Sequence, residues 1–191
     1  MTPVTTAALP PKPTLRRMKK MFALLFVLFT ATLAHADDAA EMHKLDFLLG
    51  DLTGEAWVQM GPGKPQYVIQ NEKVTSKVGG KAFLIEGLGR EKLADGATGK
   101  VVHETIGLIT WDEAKKTYRF IAHVADKPSV DTTLDLTAPN TAVWGFDTPQ
   151  GKVRYTIRLT EKGEWNEVGE FSRDGSKWLT FFEMTLARHT K

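Results

Sequence analysis

The chain has 191 residues, with 25 Lys/Arg against 23 Asp/Glu and no cysteine. The lack of cysteine excludes disulfides, thiolate metal sites and thiol catalysis together. Five of the 25 cations and none of the acids precede Asp37, which leaves residues 37–191 with 20 cations against 23 acids, a net charge of −3. With no Lys/Arg cluster, that part offers no electrostatic footprint for nucleic acid.

Arg16, Arg17, Lys19 and Lys20 precede an apolar run from Met21 to Leu33, and Ala34-His35-Ala36 supplies small residues for cleavage. Charged, apolar and small-residue blocks in that order make a secretory signal, with an apolar core too short to span a bilayer as a stable helix. Residues 1–36 are therefore expected to be an N-terminal extension and cleavable signal peptide. An uncleaved membrane anchor is the alternative reading of the same block. Residues 37–191 are expected to form one domain, periplasmic or secreted, large enough to bury a core without staples.

From Asp38 to Leu49 the spacing predicts a short helix: Met42, Leu45 and Leu49, with Phe47 and Leu48, give an apolar face, and Gly50 is a natural stop. Beyond Gly50 the pattern changes to short β-branched and aromatic runs separated by turn residues. Ten strands are predicted, over Leu52–Met60, Gln66–Val78, Lys81–Arg90, Val101–Trp111, Thr117–Ala125, Val130–Leu136, Ala142–Asp147, Val153–Thr160, Glu164–Ser172 and Lys177–Arg188. Gly61-Pro62-Gly63, Gly79-Gly80, Asp95-Gly96, Asn140, Gly151, Gly163 and Asp174-Gly175 punctuate them, with residues that accept hairpin dihedrals or cannot donate to a ladder. Val153, Tyr155, Ile157 and Leu159 alternate with Lys152, Arg154, Thr156 and Arg158, as in a strand with one wet face. A meander this long leaves two edges unless it closes. The predicted fold is all-β: a single antiparallel up-and-down barrel of about ten strands, with the helix plugging or flanking one end. Charge on both faces of several strands, as with Glu167 and Glu170, argues against membrane insertion, because an outer-membrane barrel needs an uninterrupted apolar band.

Chemistry-bearing motifs are sparse. No two of His43, His103, His123 and His189 have metal-pair spacing, and no Gly-x-Ser-x-Gly occurs. Glu86, Glu167 and Glu183 fall within otherwise apolar strands, and a pair of carboxylates facing one lumen can do acid–base chemistry; an enzyme using Glu86 or Glu183 is the weakest of three readings. Aromatic residues occur on nearly every strand. They favour a non-catalytic lumen that binds a small, largely apolar molecule, with Trp57, Phe83, Trp144 and Phe181 as candidate lining. The rival reading is an envelope protein with a side-chain-filled barrel and no ligand, acting through its outer surface.

Leu45-Asp46-Phe47-Leu48-Leu49-Gly50-Asp51-Leu52-Thr53-Gly54-Glu55-Ala56 resembles the opening motif of nitrobindin-like and related lipocalin-like domains. Val102-His103-Glu104-Thr105-Ile106-Gly107 is similar to their internal His-x-Glu-x-Gly strand, and Phe181–Arg188 to their final strand. Gly79–Gly87 and the run from Val143 to Ile157 resemble bacterial members of domain-of-unknown-function family 1579. The resemblance covers roughly residues 41–188 and implies a ten-stranded lipocalin-like barrel. It also brings departures: Leu52 stands where tryptophan is usual and Ala56 where glycine is usual. The final-strand pattern puts Phe181 where nitrobindins carry the haem-ligating histidine. Phenylalanine cannot coordinate iron, so no haem cofactor is expected.

Overall fold

The computed structural model describes residues 38–189, apart from residue 126; the expected signal segment lies outside the described residues. A short helix, α1 (38–43), runs through a turn into a 3-10 turn at Asp46–Leu48. The single helix expected over Asp38–Leu49 is thus split. Leu45, Leu48 and Leu49 donate to carbonyls three residues back, and at three residues per turn Met42, Leu45 and Leu48 stack on one side, each fully buried.

Ten strands follow: β1 (Gly50–Val58), β2 (Gln66–Lys77), β3 (Ala82–Lys92), β4 (Thr98–Asp112), β5 (Thr117–Val124), β6 (Val130–Ala138), β7 (Thr141–Thr148), β8 (Gly151–Leu159), β9 (Trp165–Ser172) and β10 (Leu179–Arg188). Each pairs antiparallel with its neighbours in the chain, and β1 pairs with β10 from Leu52↔Arg188 to Val58↔Phe182. The meander is a closed barrel, which removes both edges. Gly54 sits in the closing seam, where a Cβ would lie 2.0 Å from the Thr185 carbonyl oxygen; only glycine lets these two strands approach so closely.

Register and burial together define the inner wall. Leu52 and Ala56 on β1, Val68 and Val74 on β2, Phe83 and Ile85 on β3, and Ile109 on β4 are all buried, while their chain neighbours face outward. The two ends of the barrel differ. At one end α1 and its 3-10 turn form a floor, with Met42, Leu45 and Leu48 meeting Leu52, Phe83, Ile109, Leu134, Trp165 and Leu186 in a single core. Two side chains tie this floor to the wall. Tyr118 Oη donates to the Glu41 carbonyl at 2.8 Å, and Arg188 Nε donates to the Leu49 carbonyl at 3.1 Å while its other nitrogens reach the Phe47 and Gly163 carbonyls. At the other end no helix among the described residues covers the inner wall. Among the described residues no helix is long and apolar enough to cross a membrane.

Candidate functional site in the barrel lumen

Above the floor the inner wall becomes polar. On β2 the inward positions run Val68, Gln70, Glu72, Val74, so a glutamine and a glutamate stand inside the barrel, both buried. β3 makes room for them. Gly87 faces inward, and a Cβ there would lie 2.7 and 2.9 Å from the two Glu72 carboxyl oxygens; at Gly89 a Cβ would lie 2.5 Å from Gln70 Oε1. Gln70 Nε2 donates to Glu72 Oε1 at 2.8 Å. Across the lumen β9 contributes Trp165 and Glu167, again both buried.

Neither carboxyl has a cation. The eight ion pairs among the described residues leave both Glu72 and Glu167 out. Burial therefore pushes the Glu72 carboxyl up to about 7, with the Gln70 hydrogen bond pulling the other way. Burial pushes Glu167 up to about 8, and the nearby Glu72 charge adds to it; the indole N–H groups of Trp144 and Trp165 lie close enough to favour its ionised form. Four buried side-chain polar atoms among the described residues lack a hydrogen-bond partner. Two of them, Glu72 Oε2 and Trp165 Nε1, belong to this layer, so Trp165 approaches Glu167 without closing a bond of normal geometry.

Toward the open end the lining turns aromatic. Trp144 stacks on Tyr155 (ring centroids 4.3 Å apart, planes at 11°), and Phe120 meets Trp144 edge-on at 4.9 Å. Phe181 and Phe182 both present edges to Tyr155, at 5.8 and 6.0 Å. The β9–β10 register shifts between Thr180 and Phe182, and this irregularity turns two successive phenylalanines toward one tyrosine. Burial first, and the Glu167 charge second, push the Tyr155 phenol well above its ordinary range. His103 flanks the same end opposite Gly89. Burial, and then the Lys127 charge, hold its imidazole below the usual value.

The residues expected to line the lumen take different places. Trp144 and Phe181 belong to the aromatic mouth, and Phe83 is packed into the floor core with almost no exposure. Trp57 is a correction: it is out of phase with buried Ala56, so its side chain lies outside the barrel. There it lines an outer groove of about 420 Å3 with Glu55, Glu164, Glu183 and Thr185. Glu86 is exposed on the outer face, and Glu183 faces outward to accept a hydrogen bond from Asn166 Nδ2 at 3.3 Å. Neither enters the lumen, and the acid there that the strand pattern does not single out is Glu72. Its signal is the two-residue period that puts Gln70 and Glu72 in phase with Val68 and Val74.

The mouth does not fit haem held through the nitrobindin-like position. Phe181 supplies no donor atom, and Tyr155, its aromatic neighbour, is stacked on Trp144. Among the described residues no three His, Asp or Glu side chains gather as a metal site.

No protein-family model matches the chain, and no curated protein does. Solved structures do. The chain is similar to Rv2717c from M. tuberculosis, with a TM-score of 0.56 at 14% identity over 78% of this chain and 97% of that one. It is also similar to the S-type phycobiliprotein lyase CPES from Guillardia theta, with a TM-score of 0.56 at 10% identity over 81% of this chain and 94% of that one. At such identities the likeness shows the fold. The protein is a closed, ten-stranded, antiparallel lipocalin-like barrel.

Proposed function

We propose that this protein binds a small, largely apolar molecule through the open end of its barrel, without catalysing a reaction on it. The observation that carries this reading is the contrast inside one lumen: a floor packed under a helix into a fully buried apolar core, and above it a partly exposed cluster of aromatic rings beside buried polar atoms that lack partners. A core that only fills space leaves few such atoms, whereas a binding site combines apolar walls with a few convergent polar groups. The same barrel is used by a protein that its name calls a phycobiliprotein lyase.

Within the same reading the protein is exported to the periplasm or medium after cleavage at Ala36. It belongs with domain-of-unknown-function family 1579 and takes up no haem through a protein axial ligand. Native mass spectrometry of protein purified from its own host tests the binding. A co-purifying small molecule, or saturable uptake of an apolar fluorescent probe displaced by apolar competitors, is the expected result. Intact mass of the exported protein tests the cleavage, and haemin titration followed at the Soret band tests the cofactor.

The outer groove around Trp57 supports a second reading, in which the protein works as an envelope component through its surface. A half-buried tryptophan flanked by Glu55, Glu164 and Glu183 is the kind of anchor a protein partner covers. Trp57→Ala separates the two, since it leaves the lumen lining intact.

A further inference from the structure

Resting on the lumen reading above, we propose that Glu72 and Glu167 form a recognition site for a basic nitrogen, so that the ligand is an amphiphilic amine with its ammonium head on the carboxyls and its apolar body in the aromatic mouth.

The argument starts from what surrounds the two acids. β1 and β10, between them, face the lumen with Gly54, Ala56 and Met184; β3 offers Gly87 and β4 offers Thr105. Above the floor the other titratable groups are Tyr155 on β8, His103 on β4, Glu91 on β3, which is in phase with the inner wall opposite Val68, and Lys127, whose charge acts on His103 rather than on the two acids. Arg188, in phase with the inner wall at the floor end, is fully engaged by the Leu49, Gly163 and Phe47 carbonyls. No lysine or arginine of the described residues therefore neutralises the layer from inside. A protein that merely fills its barrel has no reason to bury two carboxyls without a counterion, because the isosteric amide or an apolar residue costs far less.

The donor and acceptor balance then selects the ligand. Once ionised, Glu72 and Glu167 are acceptors only, Glu72 Oε2 has no partner, and Gln70 keeps its carbonyl oxygen after donating through Nε2. Even with the unpartnered Trp165 indole N–H counted as a donor, that is a surplus of acceptors, and a primary ammonium carries three donors and no acceptor. The faces of Trp144 and Tyr155 add the aromatic attraction that cations find in such sites. A divalent metal fits less well, since calcium and magnesium need six or more oxygens and no third acidic or imidazole group joins the pair. A fatty acid would place a third carboxylate beside two, and a plain alcohol leaves the surplus unanswered.

The proton balance follows. In the unliganded barrel, burial holds both carboxyls partly protonated near neutrality. An alkylammonium arrives already charged, so binding it favours the carboxylates and their protons leave to the buffer. Affinity for the amine therefore rises with pH through the range in which the two acids ionise. It stays high until the amine itself deprotonates.

Octylamine, octanol and octanoate compete in turn against an apolar fluorescent probe bound to the protein at pH 6, 7 and 8. The expected result is that octylamine displaces the probe at least tenfold more tightly than octanol at pH 8, with octanoate weakest. The amine's advantage shrinks at least tenfold between pH 8 and pH 6 while octanol changes little. In Glu72→Gln or Glu167→Gln, checked for folding by its melting curve, octylamine falls to the level of octanol. The pH profile of the unmodified protein decides the matter by itself if a variant fails to fold. Equal competition by amine and alcohol, or tighter octanoate, overturns the amine assignment and leaves the lumen reading standing. A probe that never binds, with no heat of octylamine binding by calorimetry, overturns both.

Discussion

The floor and the mouth of this barrel are built from the same ten strands and the same alternation, yet one end is closed into a core and the other, among the described residues, has no helix over it. At the floor, α1 and its 3-10 turn deliver Met42, Leu45 and Leu48 onto apolar inward positions that include Leu52, Phe83 and Leu186, and all six side chains are buried. At the mouth, Trp144, Tyr155, Phe181 and Phe182 pack on one another and are only partly buried, with Leu179 at the rim 70% exposed. Between the two stand Glu72 and Glu167. The difference teaches that strand periodicity decides which residues point inward, whereas the element covering an end decides whether those residues become a core. Among the described residues a helix covers one end only, and the rings at the other end are covered by one another rather than by a helix.

The largest expected effect concerns the layer between the ends. Glu72 and Glu167 have folded-state values raised above the ordinary carboxyl value, to about 7 and about 8. A raised acid binds its proton more tightly when folded, so its contribution is present in full below about pH 4 and is lost as pH rises toward the folded value. Stability should therefore fall between about pH 5 and pH 8. At about 1.4 kcal/mol for each tenfold gain in proton affinity on folding, the two acids together account for several kcal/mol. Denaturant unfolding at successive pH values measures it. Glu167→Gln should flatten much of the slope and be the more stable protein at pH 8. A flat profile in the unmodified protein would mean the carboxyls are solvated and the layer is not dry.

Leu48→Ala comes next, with an expected loss of about 3 kcal/mol, since a fully buried leucine leaves a cavity in the floor. Its unfolding midpoint, set beside that of a mouth variant, measures how far the two ends differ. Smaller still is Tyr118→Phe. It removes the bond from Oη to the Glu41 carbonyl and should cost about 1 kcal/mol while leaving the ring's packing in place. Faster amide exchange at residues 38–43 than in the unmodified protein would locate that loss in the floor.

Much of this architecture is readable from the sequence. All ten strands lie within a few residues of the stretches marked by β-branched runs and turn residues, because hairpin chemistry and two-residue alternation are local properties. The helix is harder to read. Met42, Leu45 and Leu48 suit an α-helix and a 3-10 turn alike, since a three-residue spacing puts them on one side in either winding. The site is legible in part. Trp144 follows from its alternation, but Trp57 is an equally large ring one residue out of phase, and size says nothing about facing. Glu72 stays hidden because a glutamate in a strand reads as surface; its placement depends on the inward-facing Gly87 of another strand. The pairing of Glu72 with Glu167 depends on closure of the barrel between β1 and β10, a long-range fact that no local pattern carries.

The smallest expected effect on stability separates the mouth from the outer wall. Leu179 is mostly exposed at the rim and opposite Phe171, so Leu179→Ser should change stability by no more than about 0.5 kcal/mol. A ligand entering by the mouth rests part of its apolar body against that rim. Losing a leucine side chain there should then weaken an apolar probe severalfold, at about 25 cal/mol per Å2 of apolar contact removed. Trp57→Ala makes the opposite case, because its ring lies in the outer groove beside Glu183, separated from the lumen by the wall. It should leave probe binding as it was. Probe titrations of the two variants, run beside their melting curves, decide between the surfaces. If Trp57→Ala abolishes binding and Leu179→Ser does not touch it, the ligand sits on the wall, and the aromatic mouth is only the unfinished end of a core.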